Sequence, residues 1–267
     1  MKILVPTDFS ENANNALEFA KKIAHRENAS ITLLYSFYAV YDFAAQATEI
    51  IGQIEQEAKR ELKKAAESGK AEGLDFNYKI LQGTVATTVT SFAYKEDYDL
   101  IVMGTQGASG IKKTLIGSNT GHVIKESSVP VLAVPEKASL KHVKKISVAL
   151  QLEKEEEKYF KKLFRITEQL NLPYEFFHVQ SADNFEKNVE FKGLEVYIKE
   201  KYPKFNSNFL ITKADDTNKG MQSYLEKNKD VVLVMFYKHK TFFENLLNKS
   251  HSVEMAYHTH VPLLVIK

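Results

Sequence analysis

The 267 residues read as an α/β protein of two tandem, doubly wound domains, each a five-stranded parallel sheet flanked by helices. Three observations predict it. Short apolar runs alternate with longer stretches of helical spacing. The alternation runs through once and then begins again. The composition, 44% hydrophobic and 26% charged, is that of a globular chain able to cover such sheets.

Taken in order, Ile3–Val5 is the first strand. Ser10–Ala24 follows as a helix, because Ala13, Ala16, Leu17, Ala20, Ile23 and Ala24 fall on one face at a 3.6-residue period. Ile31–Phe37 is the second strand and Thr48–Ala71 a long charged helix. Tyr78–Leu81 is the third strand, and Val85–Tyr94 its following helix. Leu100–Met103 is the fourth, Ser118–Glu126 the last helix of the set, and Val131–Val134, after Pro130, the fifth strand. Strands separated by helices of this length make a parallel sheet.

The pattern then recurs. An offset of 143 lays Lys2–Val5 on Lys145–Val148 and Ile31–Ser36 on Tyr174–Val179. An offset of 132 lays Val102-Met103 on Val234-Met235, Ser118 on Ser250, and Val129–Leu132 on Val261–Leu264. The smaller offset places a deletion between the second and fourth strands of the second copy, in its long helix. The domains are therefore 1–138 and 142–267, joined near Glu136–Lys141 by a linker short enough to favour packing of the two copies.

Composition excludes several classes. With no cysteine there are no disulfides, thiolate metal sites or cysteine nucleophile. The net charge of +2 is the balance of 36 basic and 34 acidic residues, with no basic stripe for nucleic acid. No apolar stretch has the length of a membrane span, and Met1–Pro6 is too short for a signal sequence, so the expected address is cytoplasmic.

The chemistry concentrates in Gly104–Thr120, GTQGASGIKKTLIGSNT, which follows the fourth strand. In an open parallel sheet, ligands bind beyond the carboxyl ends of the strands, where strand order reverses. If the first and fourth strands are neighbours, Pro6–Ser10 meets this stretch there. Glycine allows backbone amides to approach an anion. Ser118 reads as an N-cap, so that the helix amides and dipole face the same point. The spacing is not that of a Walker A loop, since Gly104 is followed by five residues before Gly110 and Ile111 precedes the lysine. The dinucleotide pattern G-x-G-x-x-G is also absent. Lys112 and Lys113 read as a solvated loop pair and Gly110 as loop flexibility.

These residues resemble a known family. Gly104-x2-Gly107-x9-Gly117-Ser118 matches without a gap the ATP-binding signature of universal stress proteins, G-2x-G-9x-G-(S/T). Ile3–Ser10, ILVPTDFS, is similar to the family's opening strand and loop, and Val129–Val134, VPVLAV, to its closing strand. The resemblance implies a sheet of order 3-2-1-4-5 with ATP, and Mg²⁺ alongside it, held across strands one and four. By position, Asp8 would face the ribose or its metal, Pro6 and Thr7 would line that wall, and Ser36 would sit by the adenine. Met103 would close the end of the fourth strand. Gly104, Gly107, Gly117 and Ser118 would carry the phosphates, with Asn119 and Thr120 adding first-turn contacts. It also implies pairing of fifth strands, here Val131–Val134 with Leu263–Ile266, as an intrachain pseudo-dimer.

The second copy departs at nearly every one of these positions. Gly104, Gly107 and Gly117 become Phe236, His239 and Lys249, Pro6 and Asp8 become Ala149 and Gln151, and only Ser250 survives. This half is expected to bind no nucleotide. His251, His258 and His260 lack the spacing of a metal site. Glu153–Lys158 reads as a solvated helix face, and Phe176, Phe177, Tyr237, Phe242 and Phe243 as core or interface.

The functional expectation is an ATP-binding stress or regulatory protein with one site, in the first half, and at most slow hydrolysis. No general base or arginine finger is placed by the sequence. The competing reading is an interaction scaffold, its site empty or holding another small ligand. An ATP-using transferase or ligase is the third, and no substrate-side residues support it.

Overall fold

A computed structural model of the chain describes residues 1–38, 44–105, 117–152, 157–237 and 261–267, without the side chains of 44–48. The chain divides into two compact units, with the boundary between Glu136 and Lys137.

The first unit contains β1 (Lys2–Thr7), α1 (Glu11–Glu27), β2 (Ser30–Phe37), α2 (Ala44–Ala71), β3 (Phe76–Gln82), α3 (Val85–Lys95), β4 (Leu100–Gly104), α4 (Ser118–Glu126) and β5 (Val131–Val134). Its strands pair in parallel in the order β3-β2-β1-β4-β5. Ile3–Pro6 of β1 and all of β4 and β5 are buried, as expected of strands covered on both faces. β1 and β4 are adjacent, with Ile3 opposite Leu100. Their carboxyl ends therefore meet at the reversal of strand order.

Helix α1 explains how closely the layers can approach. Ser10 caps it, its Oγ accepting from Ala13 N at 3.2 Å, and Asn28 ends it in the left-handed region at φ 48°. Its predicted small-residue face is buried, together with Phe19. Helix α2 starts at Ala44, four residues before the predicted Thr48. The added residues, Ala-Ala-Gln-Ala, are strong helix formers that lack the apolar–charged period by which the helix is recognised.

The second unit repeats this plan with β6 (Lys145–Leu150), α5 (Glu157–Thr167), β7 (Tyr174–Gln180), α6 (Phe185–Lys201), β8 (Ser207–Lys213), α7 (Thr217–Lys227), β9 (Val231–Phe236) and β10 (Leu263–Ile266). The strand order is β8-β7-β6-β9-β10, again parallel. The duplication holds at the level of register. Ile3 faces Ile31, and Ile146 faces Tyr174; Gly104 faces Val134, and Phe236 faces Ile266. Even the unusual backbone positions recur: Phe9 and Leu152 have φ 62° and 57°, and Asn28 and Asn171 have φ 48° and 52°. The shortened element is the long helix, 17 residues in α6 against 28 in α2, the same difference as between the two sequence offsets.

The second core is more aromatic. Phe176 and Phe177 are buried, and Tyr224 stacks on Phe177 with centroids 3.8 Å apart. Of the predicted aromatic cluster, Phe242 and Phe243 lie outside the described residues, as do His251, His258 and His260. Glu157 and Lys158, the described end of the charge run, are exposed at the start of α5. Among the described residues, no helix is long and apolar enough to cross a membrane.

Candidate functional site

A cleft opens at the carboxyl ends of β1 and β4. It is lined by Pro6, Thr7, Asp8, Ala13, Ser36, Val85, Met103, Gly104 and the run Gly117–Thr120. Ten of the eleven residues singled out from the sequence are thus brought to one wall or another of a single cavity. The remaining one, Gly107, lies outside the described residues, as do Gly110, Lys112 and Lys113.

The β1 side is a tight turn. Asp8 Oδ1 accepts from the Ser10 backbone N–H at 3.1 Å and from Ser10 Oγ at 2.6 Å. Ser10, not Asp8, is the cap of α1, and the Asp8 carboxylate braces that cap from two residues away. Phe9 takes the left-handed backbone between them, its N–H donating to Thr7 Oγ1 at 3.0 Å. Asp8 itself is exposed at the cleft mouth.

The β4 side is tied across the glycine-rich stretch. Thr120 Oγ1 donates to the Gly104 carbonyl at 2.7 Å, and Gly117 N–H donates to the Thr105 carbonyl. One expectation changes here. The N-cap of α4 is Gly117, and Ser118 is the first helical residue. Gly117 has no side chain to cap with, and Gly117–Thr120 line the cleft, so the positive end of the helix dipole lies at its wall. Thr120 is buried and its hydroxyl proton goes to the Gly104 carbonyl, so its side chain ties the first turn of the helix to the end of β4.

Gly104 also has a second reason to be glycine. A Cβ there would lie 1.8 Å from Asn12 Oδ1 and 3.0 Å from the Asn12 carbonyl oxygen. Its bareness admits α1 against β4, whatever else the backbone does.

Two lining residues, Ala13 and Val85, were not singled out. Ala13 is on the buried face of α1, so its helical period concealed its place beside the cleft. Val85 opens α3 immediately after β3, and its position at a strand's carboxyl end was the available signal.

The equivalent place in the second unit is built differently. Phe236 stands where Gly104 does, buried, stacked on Tyr159 at 5.3 Å and edge-on to Phe160 at 5.3 Å. Lys187 Nζ donates to the Leu152 carbonyl at 2.7 Å, and His178 Nδ1 is 2.8 Å from the Leu150 carbonyl. Burial pushes the His178 imidazole below its usual value, opposed by its bond to Leu150 and aided by the Lys187 charge. Lys249 and His239 lie outside the described residues.

The family model described as the universal stress protein family matches residues 1–135. The chain belongs to that family. Two universal stress proteins of Methanocaldococcus jannaschii are similar to it. One is 34% identical over 138 residues, 50% of this chain and 81% of the relative. The other is 32% identical over 156 residues, 52% and 96% of the two chains. A crystal structure of a universal stress protein from Archaeoglobus fulgidus DSM 4304 covers 100% of this chain and 98% of its own, with TM-score 0.78. At 19% identity that likeness is one of fold, and it extends to both halves. The second unit thus has the universal stress protein fold without the glycine at the end of its fourth strand.

Proposed function

We propose that the first unit is an adenine-nucleotide receptor, binding ATP with Mg²⁺, and that the protein works through the bound nucleotide in a stress or regulatory response. The observation that carries this is the convergence of Pro6, Thr7, Asp8 and Ser36 with Gly104 and Gly117–Asn119 on one cleft. The N-terminus of α4, with glycine at its cap position, is the element suited to the phosphates. Asp8 is the sole ionisable side chain among the described lining residues. One carboxylate fits Mg²⁺ carried mainly by the nucleotide's own phosphates. Among the described residues no cluster of three acidic or histidine side chains could hold a metal unaided. We read the site as retaining its nucleotide, with at most slow hydrolysis.

The test is thermal unfolding of the whole chain with and without MgATP, beside Ser118→Asp. Ligand at about one hundred times Kd should stabilise the wild type by about 2.7 kcal/mol. An aspartate in the first turn of α4 favours the helix dipole, so the ligand-free variant should unfold at the wild-type temperature or above it. The same charge faces the phosphates, so its MgATP shift should vanish. An unchanged melting temperature of the wild type in millimolar MgATP, with no nucleotide copurifying, overturns the reading.

A further inference from the structure

The turn that carries Asp8 is held by a contact outside the cleft lining. Phe9 adopts φ 62°, a conformation unfavourable for a residue with a Cβ. Its ring stacks on Tyr35, with centroids 5.1 Å apart and planes at 22°, and Tyr35 in turn stacks on Phe37 at 6.4 Å and 23°. Tyr35 sits opposite Thr7 in the β1–β2 ladder. The two stacked residues are therefore the sequence neighbours of two cleft residues, Asp8 before Phe9 and Ser36 after Tyr35, on adjacent strand ends. Thr7 Oγ1 accepts from the Phe9 N–H at 3.0 Å, and Asn14 Nδ2 donates to its carbonyl at 3.4 Å, so the turn is fixed on both sides of the ring.

The second unit supplies the control. Leu152 keeps the same left-handed backbone, φ 57°, so a branched aliphatic side chain can occupy this turn in this fold. There the residue before it is Gln151, and the position equivalent to Tyr35 is His178, whose ring nitrogen is engaged with the Leu150 carbonyl. The backbone turn thus belongs to the fold. The aromatic pair occurs in the unit that has the carboxylate and is replaced in the unit that lacks it.

From this we infer that Phe9 and Tyr35 form an aromatic clamp that positions the Asp8 carboxylate relative to the Ser36 wall, and that Phe9 is a positioning residue for the metal-bearing end of the nucleotide. The inference rests on the reading of the cleft as an ATP–Mg²⁺ site. It assigns the clamp a job that general stability would not give it: loosening the turn should weaken the contribution that runs through Asp8 more than the contacts made by α4.

The experiment is calorimetric titration of the full chain with ATP, once in excess Mg²⁺ and once in EDTA, for the wild type, Phe9→Leu and Phe9→Tyr. Leucine is the residue that the second unit tolerates at this backbone, and ligand-free melting temperatures establish that each variant is folded. Phe9→Leu should raise Kd for MgATP by about tenfold while changing Kd in EDTA by less than about threefold, so that the preference for Mg²⁺ is lost. Phe9→Tyr, which keeps a ring for the stack, should restore that preference. Equal affinities of Phe9→Leu and wild type in both conditions, or a parallel loss in both, overturns the clamp while leaving the nucleotide site standing. Absence of binding by the wild type in either condition overturns the site and the clamp together.

Discussion

The Thr120 hydroxyl and the Gly104 carbonyl are joined by a buried 2.7 Å hydrogen bond that ties the first turn of α4 to the last residue of β4. The first turn of α4 is thereby anchored to the end of β4. Thr120→Val keeps the shape of the side chain but leaves the Gly104 carbonyl short of a partner. Chemical denaturation should show a loss of about 1–3 kcal/mol. Thr120→Ser, which retains the donor, should lose less.

Gly104 tests the packing of α1. Gly104→Ala would place its Cβ 1.8 Å from Asn12 Oδ1, and overpacking of this kind costs about 1–3 kcal/mol. Asn12→Ala in the same chain removes that amide and should recover much of the loss. The Asn12 carbonyl, 3.0 Å from the added Cβ, remains. A double-mutant cycle in urea measures the coupling. Simple additivity would place the cause elsewhere.

In the second unit, Phe236→Ala removes a buried ring that contacts Tyr159 and Phe160. The cavity should cost about 3–5 kcal/mol. The variant should still bind one nucleotide per chain at most, because Gln151 stands in place of Asp8 and a vacated aromatic pocket offers no phosphate donors. Titration stoichiometry checks this directly.

Acid sensitivity should trace in part to Lys21, which bridges Glu18 at 2.9 Å and Glu72 at 2.8 Å and so joins α1 to the chain just past α2. The hydrogen bond from Lys21, against an opposing effect of burial, holds the Glu72 carboxyl below its usual value. Its stabilisation is present above the unfolded carboxylate range and is lost as pH falls through that range to the lower folded value. Burial works to lower Lys21, and its bonds and charges with Glu72 and Glu18 outweigh that and raise it. That contribution is present below the unfolded lysine value and fades only as pH rises past it, above about pH 10. Lys21→Met should cost up to about 1 kcal/mol at neutral pH and flatten the acid loss, as urea unfolding at a series of pH values would show.

A buried polar group at the other end of the second sheet gives a further test. Tyr224 donates to Glu175 and lies 2.7 Å from Ser147 Oγ, while Lys145 bridges Glu175 at 2.6 Å. Burial, and then the bond to Glu175, push the Tyr224 hydroxyl well above its usual range, so it stays a donor at any physiological pH. Tyr224→Phe should destabilise the chain by about 1–3 kcal/mol, since Ser147 and Glu175 would each lose a partner in a largely dry setting. Urea denaturation of the two proteins measures the difference, and because the variant keeps the ring stacked on Phe177 the loss reports the hydroxyl alone.

Much of the architecture was legible because local patterns are written in residue order. The Ala13–Ala24 face of α1 follows from helical period alone. The buried runs Leu100–Met103 and Val131–Val134 follow from apolar continuity between punctuating residues. Ser118–Glu126 was bounded correctly, yet its cap was misassigned, because Gly117 and Ser118 are both acceptable caps and only the backbone turn from Thr105 decides between them. Val85 carries one marker, its place just beyond the carboxyl end of β3, and that marker points to the cleft only once the strand order is known.

The sequence by itself determined the duplicated α/β plan, because periodicity and spacing act along the chain, and the resemblance of its motifs to the universal stress proteins named the residues expected at one strand end. Tertiary structure alone decided what each of those residues does. Gly104 makes room for Asn12, Thr120 spends its hydroxyl on Gly104, Asp8 braces the cap at Ser10, and Phe9 leans on Tyr35. Each of these roles depends on which atom lies within about 3 to 5 Å across the fold, where hydrogen bonds, steric exclusion and ring stacking act. A composition or a spacing carries no record of that distance.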